Sequence, residues 1–324
     1  MALYLITGIG GFIGSSLARE LLSRGERVRG LDNFSTGKRE NLDEIVARID
    51  LQEADITDLG AMHKACLGVD FVLHQAAIPS VPKSVLDPLG SNRANVDGTV
   101  NVLIAARDAK VKRVVYAASS SAYGDTPTLP KHEAMKPDPI SPYAVAKLAS
   151  EQYMISFYRC YGLETVCLRY FNIFGPRQDP SSPYSGVLAK FITQMLRGEQ
   201  PTINGDGGQS RDFTYIDNAV HANLLACLAL ASRAAGQVFN VATGRRVTLN
   251  ETFRSLQALT SYHGQPNYGP ERDGDIQHSL ADISKAEADL GYRVKVDFDE
   301  GLRRTVEWYR RTLELKADVA NVRA

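Results

Sequence analysis

Tyr143 and Lys147 stand four residues apart in SPYAVAK, and on a helix that spacing puts a phenol and an ammonium on one face. A cation beside a phenol favours phenolate, which lowers the Tyr143 pKa toward working pH and makes it a usable general base; Lys147 can also hydrogen-bond a nicotinamide ribose. Such a base needs a hydroxyl to orient the alcohol it deprotonates. The run Ser119-Ser120-Ser121-Ala122-Tyr123-Gly124 offers three, directly after the apolar stretch RVVYAA. If that stretch is a strand of a parallel sheet, its carboxyl edge is where ligands bind.

A second constellation lies at the N-terminus. Gly8, Gly11 and Gly14 in TGIGGFIG have the spacing GxxGxxG between an apolar run and a helical period. Side chains there would block a tight turn and the approach of backbone to a pyrophosphate. The helix opening at Phe12 and Ile13 presents free N–H groups and a partial positive charge. Asp32 closes the second apolar run, where a carboxylate accepts hydrogen bonds from both ribose hydroxyls and repels a 2′-phosphate; this favours NAD over NADP. Lys38 and Arg39 argue the other way, but their distance from the strand end makes them solvated surface. Asp55-Ile56 in EADITD fits either an adenine-edge contact or a plain strand-to-helix turn.

The elements that must position these groups follow from hydrophobic period. Strands are predicted at Leu3–Thr7, Arg27–Leu31, Phe71–His74, Arg113–Ala117, Thr165–Arg169 and Val238–Val241. Helices are predicted at Phe12–Ser23, Thr57–Lys64, Val96–Ala109, Tyr143–Tyr161 and Asp217–Ala231. Near-continuous apolar strands alternating with helices specify a parallel sheet covered on both faces. The fold class expected is α/β, a Rossmann-type doubly wound parallel sheet with a smaller C-terminal α+β substrate lobe. Residues 1–174 form the dinucleotide domain, with 213–242 returning to it. Residues 175–212 and 243–314 form the lobe, and 315–324 a frayed tail.

Composition narrows the partners. The 324 residues carry 37 Lys+Arg and 37 Asp+Glu, so no global field draws the chain to nucleic acid or an anionic membrane. Cys66, Cys160, Cys167 and Cys227 lie far apart without metal-ligand spacing and read as buried reduced thiols; no metal is expected. No secretory signal is visible, and the apolar stretch 219–231 is too short and too polar to span a membrane. The expectation is a cytoplasmic protein.

TGIGGFIGS, DNFSTGKREN, the SSSAYG run, SPYAVAK, LRYFNIFGPRQ and GDGGQSRDFTYIDNA together resemble the extended short-chain dehydrogenases, specifically the UDP-hexose 4-epimerases. The resemblance runs from about Leu3 to about Trp308. HQAAIPSVPKS, the DPSSPY segment and GDIQHSLADISKA are most similar to the branch that prefers N-acetylated substrates, the UDP-GlcNAc 4-epimerases. It implies Tyr143 as base, Lys147 as its modulator and Ser119 as the hydroxyl partner, with Ser120 and Ser121 touching substrate. At the cofactor it implies Asn33, Ser35, Thr36 and Gly37, the segment Gln75, Ala76 and Ala77, and Asn95 and Tyr170. At the diphosphate it implies Asn172, Arg211, Arg272 and Asp275; at the uridine, Val187, Thr202, Ile203 and Asn204. Ser279 stands where epimerases restricted to plain hexoses usually have a bulky Tyr, and so leaves room beside C2 of the sugar. Pro79 replaces a frequent Lys, and Ser80 and Val81 contact the sugar instead.

Related 4,6-dehydratases carry a carboxylate in the stretch matching Ser119–Ser121, and related decarboxylases usually place a Glu there. Serine at all three positions leaves redox-neutral 4-epimerisation with NAD. UDP-glucose/galactose or UDP-glucuronate is the alternative substrate, and an NAD-binding regulator the alternative class. Helices Val96–Ala109 and Tyr143–Tyr161 resemble those of the family's four-helix dimer interface, which implies a homodimer.

Overall fold

Five runs of apolar and β-branched residues and one half-polar segment, the third, build strands β1 (Leu3–Thr7), β2 (Arg27–Asp32), β3 (Ile49–Glu53), β4 (Phe71–His74), β5 (Arg113–Ser119) and β6 (Glu164–Tyr170). A later strand, Gln237–Val241, joins them in one parallel sheet of order Gln237–Val241, β6, β5, β4, β1, β2, β3. The order reverses between β1 and β4, and that reversal opens a crevice at the strands' carboxyl ends. The computed structural model describes residues 1–180, 186–271 and 276–323, with 315–323 by backbone alone.

Strand residues alternate between two cores. Tyr4 and Ile6 face one hydrophobic cluster with α1 (Phe12–Ser23) and α8 (Ile216–Leu228). Leu3 and Leu5 face another with α2 (Leu59–Cys66), α5 (Gly98–Asp108) and α6 (Pro142–Tyr161). Each such fully buried aliphatic side chain contributes roughly 1.5–3 kcal/mol. The first cluster does not stop at the sheet: it runs through Phe191 of α7 (Val187–Leu196), Phe253 of the helix Leu249–Thr260 and Leu302 of the helix Phe298–Arg323. The lobe built from the segments after residue 174 therefore shares its core with the dinucleotide half.

Helix α6 starts sharply because Ser141 caps it, its Oγ accepting the Ala144 N–H at 3.2 Å, and Pro142 occupies the first turn. It ends at Gly162, whose φ of +71° is the left-handed turn that glycine adopts freely. The structure corrects the sequence reading in four places. Strand β5 runs on to Ser119, so the serine run starts on the sheet and not after it. Strand β3 was not predicted: at the sheet edge its IDLQE alternates polar and half-buried residues. The expected frayed tail continues the last helix to Arg323, through a stretch of good helix formers. Cys160 is exposed on α6, while Cys66, Cys167 and Cys227 are buried free thiols. Among the described residues no helix is long and apolar enough to cross a membrane, and no three His, Cys, Asp or Glu cluster to hold a metal ion.

Candidate active site

The turn between β1 and α1 is packed against the end of β4. Gly8 has φ +71°, and a Cβ there would lie 2.7 Å from the Ala76 nitrogen, so no other residue fits without moving the crevice wall. A Cβ on Gly14 would meet the Gly8 carbonyl oxygen at 2.2 Å, which is how the helix start seats on the turn. Gly11 is the N-cap of α1 and no side chain caps that terminus, leaving the first-turn N–H groups of Phe12 and Ile13 to the crevice.

Asp32 is held beneath this turn by two backbone donors, Gly10 N–H at 2.8 Å and Phe34 N–H at 2.8 Å. Burial pushes its carboxyl up, and the N–H groups of Phe34 and Gly10 oppose that. Gly10, outside the GxxGxxG spacing, was missed by the sequence reading although it supplies the bond. Gly37 packs on the same carboxylate: a Cβ there would stand 2.9 Å from Oδ2. Lys38 pairs with Asp179 at 2.9 Å and Arg39 with Glu53 at 2.5 Å, so both cations are neutralised by protein carboxylates.

Asn33 and Ser35 form a local turn, with Asn33 Oδ1 accepting from the Ser35 backbone and hydroxyl; Thr36 follows it. Asn33 donates to Asp55 at 2.6 Å, and Asp55 also accepts from the Thr57 N–H and hydroxyl, both at 2.8 Å. Burial raises the Asp55 carboxyl, but these hydrogen bonds outweigh it and leave the group below its ordinary value. Its side chain thus builds the strand-to-helix turn. Ile56 beside it is buried.

Ser119, Tyr143 and Lys147, the trio expected to carry the chemistry, converge from β5 and α6. Ser119 pairs with Tyr170 in the sheet register, and its Oγ accepts from the Ser121 N–H (3.2 Å) and hydroxyl (2.8 Å). Ser121 is therefore turned toward Ser119, while Ser120 continues the short turn. Burial pushes the Tyr143 phenol up, and a hydrogen bond with Ser119 opposes it. The expected depression of the phenol by Lys147 is not seen. Lys147 is itself buried and lowered by that burial to about 7, and its ammonium donates to the Ala117 carbonyl at 2.8 Å.

Around the trio, polar groups are committed to one another. Tyr170 donates to Gln75 Oε1 at 3.3 Å and accepts from Asn223 at 2.6 Å, while Gln75 donates to Asn223 Oδ1 at 3.2 Å. Ala77 follows Ala76 in the same loop. Asn95 sits in a π-helical turn, Arg93–Asp97, before α5; its side chain accepts the Ile78 N–H at 2.9 Å and its carbonyl accepts from Thr99 and Ser150. His74 is fully buried between Thr7 (2.7 Å) and Thr99 (2.9 Å), and burial with the nearby Lys147 lowers it to about 3, so it is neutral at working pH.

Across the crevice lies a cleft of about 380 Å³ lined by Asn172, Val187, Thr202, Asn204 and Arg211. Gln178, Lys190, Gln194 and Gln209 also line it and were not singled out from sequence. Lys190 stands three residues after Val187 on α7, a helical spacing that signals a shared face. Ile203 does not line the cleft: strand alternation turns it into the core, fully buried, between two cleft residues. Arg211 donates to the carbonyls of Ser210 (3.0 Å) and Gln277 (3.2 Å). Ser279 is buried beside Asn172, whose amide donates to its hydroxyl at 3.3 Å. Ser80 spends its hydroxyl on the Lys83 N–H as the cap of α3 (Val81–Leu86), and Val81 begins that helix half exposed. Arg272 and Asp275 lie outside the described residues.

A family model described as "NAD dependent epimerase/dehydratase family" matches residues 4–242. The chain belongs to that family. A putative UDP-glucose 4-epimerase of Methanocaldococcus jannaschii is 36% identical, the match covering 94% of this chain and 97% of the relative. Among solved structures, UDP-glucose 4-epimerase of Thermotoga maritima with UDP-glucose is 39% identical with a TM-score of 0.91 over 96% of this chain and 99% of that one. UDP-N-acetylglucosamine 4-epimerase of Methanobrevibacter ruminantium in complex with UDP-N-acetylmuramic acid is 40% identical, with a TM-score of 0.90 over the same shares.

As a member of this epimerase/dehydratase family the protein is an NAD-dependent enzyme. Its residues fit the dinucleotide. The backbone cradle at Gly8 and Gly11, which a Cβ at Gly8 would force away from Ala76, suits a pyrophosphate, and Asp32 is fixed to meet a ribose diol. With Lys38 and Arg39 already paired, nothing in that segment rewards a 2′-phosphate.

Proposed function

We propose that the protein is a UDP-sugar 4-epimerase whose preferred pair is UDP-GlcNAc and UDP-GalNAc. The reaction class rests on the serine run: Ser119 and Ser121 bond to each other beside Tyr143, and no carboxylate stands at positions 119–121 to drive elimination or decarboxylation. The substrate rests on one observation, the small buried Ser279 that accepts from the cleft-lining Asn172, at the position where the resemblance expects a bulkier side chain to crowd the C2 substituent.

In this reading Tyr143 removes the proton of the sugar 4-hydroxyl, and Ser119 orients that hydroxyl and favours the phenolate. Arg211 and Asn172 hold the diphosphate, to which the resemblance also assigns Arg272 and Asp275. Thr202, Asn204 and Val187 border the uridine. Bound NAD supplies the hydride acceptor and then the donor at C4, so the reaction is redox-neutral. Between the two transfers the keto sugar turns within its pocket while the UDP stays fixed. Few side chains then need to grip the hexose, and a strong diphosphate clamp is required. The resemblance of α5 and α6 to a four-helix dimer interface supports a homodimer, and the neutral charge of the chain gives it no global attraction to nucleic acid or an anionic membrane.

The test is to incubate the purified protein, without added NAD, with UDP-GlcNAc and separately with UDP-glucose, following the 4-epimers by NMR. UDP-GlcNAc is expected to convert faster. Conversion of UDP-glucose alone rejects the substrate assignment and keeps the reaction; no conversion of either, even with NAD supplied, rejects both.

A further inference from the structure

We infer that Ser84, the last residue of HQAAIPSVPKS and given no role by the sequence reading, is a positioning residue for Tyr143; the inference rests on the reading of Tyr143 as the base. Helix α6 opens with an unusual division of its free donors. Pro142 has no N–H, and the Ala144 N–H goes to the cap Ser141 at 3.2 Å. The remaining donor of that turn, the N–H of Tyr143 itself, goes to Ser84 Oγ at 3.0 Å, a side chain 59 residues earlier in the chain.

The Ser84 hydroxyl is not free to turn. It is fully buried, and its O–H donates to the Val81 carbonyl at 2.7 Å, which points a lone pair at Tyr143. The backbone of Tyr143 is thereby pinned to α3, which packs on α6 together with α4 (Pro88–Asn92). The phenol at the other end of the residue meets Ser119 from β5. The base is held at both ends, by its amide and by its hydroxyl, from two different elements.

Removing Ser84 Oγ leaves the Tyr143 N–H without its acceptor, and the first turn of α6 must shift or fray to satisfy it. The phenol then leaves its distance from Ser119, where displacements of about 1 Å cost about 10²-fold in rate. The titratable neighbours of the phenol, Lys147 on the same helix and Tyr116 on β5, stay in place.

The holoenzyme is tested as Ser84→Ala, with Asp87→Ala as control. Asp87 caps α4 through the Gly90 N–H at 2.9 Å, and that variant loses a helix cap without touching α6. In Ser84→Ala, kcat is expected to fall about 10- to 100-fold with KM within about twofold and NAD content unchanged. The acidic limb of its kcat–pH profile moves to higher pH, because the phenol loses part of the Ser119 bond that opposes its upward push. Asp87→Ala keeps wild-type kcat and profile. If Ser84→Ala does not fold, Ser84→Cys, which keeps the volume and weakens the acceptor, is read by the same criteria. Unchanged kcat overturns the inference, as does a fall in kcat accompanied by lost NAD with an unmoved profile. Full activity in Tyr143→Phe, measured with Ser84 intact, overturns the reading of the base instead.

Discussion

At the β1–α1 turn the close contacts are made by backbone, with glycines pressed against neighbouring main chain and Asp32 held by two N–H groups. At the cleft across the crevice the walls are side chains drawn from segments far apart: Asn172 after β6, Val187 and Lys190 on α7, Thr202 and Asn204 on a short strand, and Arg211 on another. In the proposed reaction the first region would be a rigid mould for a cofactor that need not be exchanged. The second would be a frame of separable contacts, suited to gripping the nucleotide while leaving the hexose room to turn. Substitutions in the mould are therefore expected to act as all-or-none defects of cofactor binding. Those in the frame are expected to be graded and confined to substrate.

The sharpest test of that contrast is Gly8→Ala. A methyl group 2.7 Å from the Ala76 nitrogen, on a backbone with φ +71°, forces the turn away from β4. Purified variant is expected to carry almost no NAD by absorbance of the released nucleotide, with affinity down by on the order of 100-fold or more. Near-normal NAD content would show that the mould yields. Next in size is Arg211→Ala, expected to raise KM for UDP-sugar about 10- to 100-fold, the worth of a lost charge-assisted bond, with NAD content intact. Loss of NAD in that variant would mean that the two regions are not separable.

The smallest effect concerns Lys147, where the two regions meet. Its folded pKa of about 7 lies below its ordinary value, so the unfolded chain binds more protons between pH 7 and about 10.5. This group therefore costs stability, fully so below pH 7, and the cost disappears as pH rises toward 10.5. Lys147→Met is expected to melt above wild type at pH 6.5 by a few degrees, with the gap closing by pH 10, in thermal melts at matched cofactor content. A gap that widens with pH would show that the ammonium is better solvated than its burial implies.

The same contrast decides what was legible in the sequence. GxxGxxG, Asp32 and the Tyr143/Lys147 pair were readable because each depends on neighbours within a turn or two, where spacing alone sets geometry. Strand β3 was not, because an edge strand with one wet side lacks the apolar run that marked the others. The cleft was readable only in outline. Thr202 and Asn204 do line the cleft, but period-two alternation, available in the sequence, would have turned Ile203 inward. Lys190 could have been found from its helical spacing to Val187, but Gln209 and Asn223 owe their places to contacts between segments, and no local pattern marks them. Ser84 is the extreme case, a serine in a proline-interrupted stretch whose partner lies on another helix. The expected depression of the phenol by Lys147 was not seen for a related reason: sequence spacing brings two groups to one face but does not say that burial will lower one of them to about 7.

The hydrophobic cluster that begins under β1 and continues without a break to Leu302 has a kinetic meaning. Two lobes that share one oil drop have no seam to part along, so neither can swing from the other as a rigid door. Whatever leaves the crevice must do so through the breathing of individual loops, a slow exit for a dinucleotide seated on a glycine mould. For the proposed redox-neutral reaction, the expected consequence is an oxidant carried as a fixture and a turnover independent of how much NAD the surroundings hold.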